Sequence, residues 1–276
     1  MSDPDRVPPG IDPTKPNIAR VYDYQLGGKD NYAVDREVGR QIQQLVPDAP
    51  TASKANRAFL QRVVRHLIVD AGIRQFVDIG SGLPTQGNVH EIAHAEHPGT
   101  RVVYVDNDPV VLVHARALLD TTDATKVITA DLRSPEELLR NAELREFIDF
   151  DEPVGLLLIA ILHHLNDGEA QRGTARLREA LAPGSYMAIS HFHNPGSAMP
   201  EEAALAVASE KLLMERLGSG RFRTGEEILA LFGDFDLLEP GLVPLPLWRP
   251  DSPEPPALVS GDHRLVGGVA RKPAGQ

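Results

Sequence analysis

From residue 75 onward the chain repeats one pattern. The apolar runs "QFVDI", "RVVYVD", "KVITAD", "PVGLLLIAIL" and "SYMAIS" are separated from one another by segments of helical character. Short buried strands joined through helices form a parallel sheet with right-handed crossovers. The helix starts carry their own marks. Asp108 stands before Pro109, Ser134 stands before Pro135 with Glu137 three residues from the cap, and Thr224 has Glu227 three residues on. The last two read as capping boxes, in which cap side chain and carboxylate each satisfy a free N–H of the first turn. Helices are expected over 200 to 217 and 225 to 232, then strands in "FDLLEPGLV" and "LVGGVARK". With no helix between them, these two pair antiparallel at the end of the sheet. The intervening "PLPLWRPDSPEPP" is too proline-dense for a ladder and reads as an extended surface loop.

Ahead of the first strand the period is helical. Asn17 caps a short helix carrying Ile18, Val21, Tyr22 and Leu26, stopped by Gly27 and Gly28. A second helix spans 31 to 46, with Val34, Val38, Ile42 and Leu45 on one stripe before Pro47, and a third starts at Thr51 and closes at Gly72. Residues 1 to 16, proline-rich and aperiodic, read as a mobile tail. The division is therefore a tail (1–16) and a single domain (17–272), built from a helical cap (17–72) on a Rossmann-like core (73–272). A chain of 276 residues is long enough for one such domain.

Composition narrows the function. The chain has no cysteine, which excludes disulfides, thiolate catalysis and cysteine-ligated metals. Its 28 basic and 39 acidic residues give a net charge of -11, which repels a phosphate backbone, and no local basic patch offsets it, so nucleic acid is not expected as a partner. The longest apolar run is about half of what a membrane span needs. No membrane association and a cytoplasmic location are the expectation.

Three successive strand ends carry the chemistry. In "DIGSGLPT", Gly80 and Gly82 allow a tight turn and close backbone approach, and the next helix offers free N–H groups. Asp106 ends the second strand, 24 residues after Gly82, where a carboxylate accepts from both hydroxyls of a ribose. Asp131 ends the third, within reach of an adenine amino group. A pyrophosphate would require a third glycine and positive charge, but positions 83 to 85 are Leu, Pro and Thr and nothing in the turn is basic. Two glycines alone fit a plain tight turn as well. With both aspartates in place, the pattern suits an adenosine without phosphates whose amino-acid tail meets backbone near Gly80 and the carboxylate of Asp78. That ligand is S-adenosylmethionine. Ser81, Asn107, Leu132 and Ile161 flank these positions and are placed with the cofactor.

The segments "FVDIGSGLPTQGNVHEIA", "VVYVDNDPVVLVHARALL", "ADLRSPEELL" and "LLLIAILHHL" resemble the successive motifs of class I S-adenosylmethionine-dependent methyltransferases. With the N-terminal "IARVYDYQLGGKDNYAVDREV" they resemble one bacterial family of these, long known as a domain of unknown function, from about Asn17 to Lys272. The resemblance implies a Rossmann-like, seven-stranded, mostly parallel sheet in the order 3-2-1-4-5-7-6 with strand 7 antiparallel. It implies no particular acceptor.

Methyl transfer is an in-line displacement, so alignment and exclusion of water are the main requirements, and a base is needed only for a hydroxyl or protonated amine. The candidates for that base are His163 and His164, directly after the fourth strand, against the plainer reading of a hydrogen-bonded structural turn. His191 ends the fifth strand and is placed with the acceptor. Four histidines at 163, 164, 191 and 193 raise the question of a metal, but no three converge in the pattern, and none is assigned. In "DYQLGGKDNY" the polar loop is expected to fold over the cofactor, with Tyr22, Tyr24 or Tyr32 presenting a ring to the sulfonium and Lys29 meeting the carboxylate. The plainer alternative is a helix stop with tyrosines packed on the core. Tyr24 and Trp248 are placed at the acceptor site, which the proline-rich stretch and the 200–217 helix would wall. The leading function is methyl transfer to a small-molecule acceptor. The alternatives are a cofactor-binding regulator without turnover and a nicotinamide oxidoreductase, the latter opposed by the missing glycine and second nucleotide-binding half.

Overall fold

Phe76 and Val77 leave strand β1 (Gln75–Ile79) on opposite faces, and each enters a different apolar cluster. Leu156 and Leu157 of β4 (Gly155–Ile159) divide in the same way. Side chains alternate along a strand, so central strands buried on both faces require helices on both sides of the sheet. In the computed structural model, which describes residues 12–84, 87–118, 123–252, 254 and 256–274, that is the arrangement found. One face carries α3 (Ala49–Val69), α4 (Val89–Glu96) and α5 (Pro109–Leu118). The other carries α6 (Pro135–Arg140), α7 (Ala142–Phe147), α8 (Asp167–Ala180) and α10 (Gly225–Phe232).

β2 (Arg101–Asp106) and β3 (Thr125–Thr129) extend the sheet on one side of β1, and β4 and β5 (Tyr186–Phe192) on the other, all in parallel. β8 (Leu265–Arg271) runs antiparallel against β5, and the short β6 (Asp236–Leu237) and β7 (Val243–Pro244) both pair with β8. The order is β3-β2-β1-β4-β5-β8-β6, with β7 beside β8. This is the expected α/β Rossmann-like sheet with one more strand. "FDLLEPGLV" makes two short strands where one was expected, because Pro240 has no N–H to donate and Gly241, at φ 90°, turns the chain.

Two other expectations change. Ser134 makes no side-chain cap bond. Its backbone N–H is held by Asp131 O in a turn, and at ψ 64° it is not extended as a capping residue must be. The capping box at Thr224 is present, as are boxes at Asn88 and Asn166. The proline-rich stretch is not simply a surface loop. Leu245–Leu247 form a 3-10 turn, and Trp248 is fully buried, edge-on to Phe59 at 5.4 Å. Arg62 donates to the carbonyls of Leu245 and Trp248, which provides the partners that a ladder would have.

Above the carboxyl ends of the strands lie α1 (Ile18–Leu26), α2 (Ala33–Leu45) and α9 (Pro200–Leu217). Asp35, fully buried, holds the first two together: it accepts from Asn17 N, Arg20 Nε at 2.7 Å and Tyr32 N. Of the expected tail, residues 1–11 lie outside the described residues. Lys15 is tied in through its carbonyl, which accepts from Arg20. A second device joins α1 to the sheet. Tyr22 OH donates to Ser53 O and accepts from Asn56, whose Oδ1 accepts from Ser190 Oγ on β5.

Candidate functional site

The sheet order reverses at β1, which lies between β2 and β4, and the crevice outside the carboxyl ends of such strands is where open α/β sheets bind ligands. Here it is a cavity of about 560 Å³ covered by α1, α2 and α9. That lies within the roughly 300–1,000 Å³ of small-molecule sites. Of the residues singled out in the sequence, Asp78, Gly80, Ser81, Gly82, Asp106, Asn107, Asp131, Leu132, Ile161, His163, His164 and Tyr22 line it.

The turn after β1 is shaped for backbone approach. Gly80 and Gly82 have φ of 71° and 67°, a region closed to most side chains. A Cβ on Gly80 would stand 2.5 Å from Ile161, whereas one on Gly82 meets nothing within 4 Å, so the space beside Gly82 belongs to the cavity. Ser81 Oγ is buried without a partner among the described residues. Asp106 Oδ2 accepts from Gly82 N at 3.0 Å and Oδ1 from Asp108 N at 2.9 Å, which fixes the carboxylate and leaves further lone pairs directed elsewhere. Burial raises its pKa. Asp78 is buried more deeply, and that burial, reinforced by Asp106, pushes its carboxyl up to about 7 against the opposing charge of Arg57. Bare amides, a buried hydroxyl and two desolvated carboxylates fit a ribose and an ammonium, as the S-adenosylmethionine reading requires. Asp131 differs: Arg133 grips it through Nε and Nη2, Asn107 adds a third bond, and together they hold its carboxyl at about 2. Its side chain is a rim ion pair rather than a free acceptor.

Ala160 follows β4 with φ 56°, strained for a residue with a side chain, and is held there by Ser190. The 3-10 turn Leu162–His164 comes next. His163 stacks on Phe192 at 3.6 Å, with Nδ1 buried and unpartnered among the described residues. His164 is less buried, and its Nδ1 lies 2.9 Å from Ser219 Oγ, which orients the ring. Burial pushes its pKa down to about 4 and that of His163 well below the usual range, so both are neutral at physiological pH. His191 is packed behind the wall. Its Nδ1 faces Phe192 O and its Nε2 faces Arg223, which also donates to the carbonyls of Leu162 and Leu165. His191 therefore supports the turn and does not line the cavity. The rings of His163, His164 and His191 meet edge-on, and the described residues hold no cluster of three groups suited to a metal.

The polar loop after α1 does not cover the cavity. It wraps Asp23, whose carboxylate accepts from Asp30 N and Asn31 Nδ2, and a Cβ on Gly28 would collide with that carboxylate. Lys29 is exposed outside the site. Tyr32 stacks under the Arg20 guanidinium at 4.9 Å, and Tyr24 lies over Gly39, where a Cβ would stand 2.2 Å from its ring. Neither ring lines the cavity, and Trp248 does not either. The part of the cover that this region supplies is the face of α1 with Ile18, Val21 and Tyr22. Sequence reasoning missed Arg57 and Arg264, which line the cavity from α3 and from the turn before β8. Each lies far from the glycine motif in sequence, and no local spacing marks either one.

A family model described as S-adenosyl methyltransferase matches residues 4–273. Among solved structures, a protein of Thermobifida fusca YX, provisionally assigned as a methyltransferase, is 44% identical, with 97% of this chain and 98% of that chain covered and a TM-score of 0.91. A DUF574 family protein from Streptomyces avermitilis MA-4680 is 40% identical, covering 94% of this chain and 98% of its own, with a TM-score of 0.86. An O-methyltransferase family protein from Burkholderia thailandensis shares the fold at 16% identity, with 86% of this chain and 64% of that chain covered and a TM-score of 0.54. No curated protein matches the chain.

Proposed function

The chain belongs to the S-adenosyl methyltransferase family, and from that premise we propose that its cavity aligns S-adenosylmethionine with a small-molecule acceptor and transfers the methyl group between them. The observation that carries this reading is one continuous cavity running from the glycine turn and Asp106 to His164, Phe222 and Leu265, roofed by α1, α2 and α9.

The cofactor, when bound, supplies a sulfonium methyl that an acceptor atom displaces in line. Asp106 is assigned the ribose hydroxyls, with Gly82 N holding the carboxylate in register. Asp78 receives the amine, and Arg57, which lines the same cavity and acts on Asp78 electrostatically, takes over the carboxylate role expected of Lys29. Tyr22 contributes its ring face, because its hydroxyl is already engaged by Asn56 and Ser53. Enclosure by the roof helices excludes water and holds the acceptor in attack geometry, an effect worth roughly 7–11 kcal/mol when fully realised.

Where the acceptor atom carries a proton, His164 is the assigned base. It is neutral, oriented by Ser219 and less buried than His163. His163, stacked on Phe192 behind it, positions that ring. The enclosed cavity and its apolar lining favour a small molecule over a polypeptide. The test is incubation with methyl-labelled S-adenosylmethionine and a fractionated cell extract. Label should enter the low-molecular-weight fraction and fail to do so with Asp106→Ala. Label confined to macromolecules, or no transfer to any fraction, contradicts the proposal.

A further inference from the structure

In the half of the cavity away from Asp106, one charged side chain is almost without partners. Arg264 ends the 3-10 turn Ser260–Arg264 that leads into β8, where Leu265 pairs with Phe192 at the carboxyl end of β5. It lines the cavity although the residue is only 6% exposed. Its guanidinium meets one described side chain, Glu202 of α9, with Nε 3.5 Å from Oε2, and Nη1 is buried with no partner among the described residues. A guanidinium keeps its charge and presents five N–H donors in a flat fork. A buried donor left unmatched costs about 1–3 kcal/mol, so such a group calls for an oxygen acceptor.

The surroundings specify which acceptor. Glu202 is held on its other oxygen by Ser260 Oγ and is not among the residues lining the cavity. It backs the Nε side of the guanidinium, and the Arg264 residue itself borders the cavity. Because Glu202 already offsets part of the charge, one further negative group is suited to the place better than a doubly charged phosphate. Ser209, seven residues along α9 from Glu202, lines the same cavity, and its Oγ is also buried and unpartnered among the described residues. The walls nearby are carbon: Leu212, Leu213 and Leu217 of α9 with Phe222.

We propose that Arg264 selects the methyl acceptor by anchoring a carboxylate on a molecule with an otherwise apolar body. The inference rests on the methyltransferase reading of the cavity and adds the substrate class. The fork of a guanidinium matches a carboxylate with two parallel bonds, stronger and more directional than a neutral contact. A carboxylate committed in this way is the handle of the acceptor, and methylation occurs elsewhere on the molecule. Arg264 is thus a specificity residue, and Glu202 positions it.

The test uses the full chain saturated with S-adenosylhomocysteine and a panel of aryl and alkyl carboxylates, each beside its uncharged carboxamide, with binding read by calorimetry. The carboxylates should supply the binders, each at least tenfold tighter than its amide partner, and Arg264→Gln should abolish that preference while S-adenosylhomocysteine affinity stays unchanged. The wild-type comparison of acid with amide needs no variant and so stands even if Arg264→Gln folds poorly. Amides binding as well as acids, the preference surviving in Arg264→Gln, or no binder in the panel would overturn the assignment. Failure of wild type to bind S-adenosylhomocysteine at all would instead remove the reading of the cavity on which the assignment depends.

Discussion

Asp78 keeps its proton at pH values where an ordinary carboxyl has lost it, because burial pushes its pKa to about 7. Between about pH 4 and 7 the unfolded chain has released that proton while the folded chain retains it, so this group makes the protein less stable as pH rises through the window. The effect amounts to at most about 4 kcal/mol. An ammonium beside the carboxylate reverses the preference, since binding then requires the ionised form. Two outcomes are expected. Affinity for S-adenosylhomocysteine, measured by calorimetry, should strengthen by up to about tenfold per unit from pH 5.5 to 7. In Asp78→Asn it should be weak and flat with pH, while the ligand-free variant is more stable than wild type at pH 8. A flat profile in wild type would remove Asp78 from the amine site. Lys29→Ala and Tyr32→Phe, by contrast, should leave the affinity within about twofold, because both residues lie outside the cavity. The residues on the glycine motif were legible because strand ends and turns leave marks in sequence. Arg57, Arg223 and Arg264 were not, since each reaches its place only through tertiary packing.

The helices of the cap were legible from their apolar stripes, but their mode of action was not. The loop from Gly27 to Asn31 looked too polar for a mere connection. Its polarity serves Asp23, and the part of the cover that this region supplies is the α1 face. What holds that face down is Asp35, in the first turn of α2, paired with Arg20 at 2.7 Å where both side chains are buried. Removing one partner of a buried pair leaves a charge uncompensated, at a cost of about 3–5 kcal/mol. Asp35→Ala should lose that much in denaturant unfolding and also weaken S-adenosylhomocysteine binding, because α1 is released from α2. Trp248→Ala separates stability from function. The ring packs edge-on to Phe59 and contributes to the core, so the variant should lose about 3–5 kcal/mol of stability with ligand affinity unchanged. An affinity loss in Trp248→Ala as large as that in Asp35→Ala would place the proline-rich segment back at the site. Sequence reading missed this burial because proline rules out a ladder but does not rule out a packed turn.

At the scale of the molecule, the alternation from residue 75 was enough to give the parallel sheet, because strands buried on both faces have few other ways to pack. The divided sixth segment escaped, since a two-residue strand has no period to read. The fold then gathers the cavity along one edge, with the groups proposed for the cofactor at the ends of β1 and β2 and those proposed for the acceptor at the ends of β4, β5 and the start of β8. A ligand confined to the folded state must stabilise the whole domain, by about 2.7 kcal/mol at a hundred times its dissociation constant. The most direct measurement of the central claim is a crystal structure of the protein with S-adenosylhomocysteine. The account predicts the ribose hydroxyls on Asp106, the amine on Asp78 and the sulfur facing His164 across the cavity. Density for the nucleoside away from the β1–β2 edge, or with its ribose turned from Asp106, would contradict it.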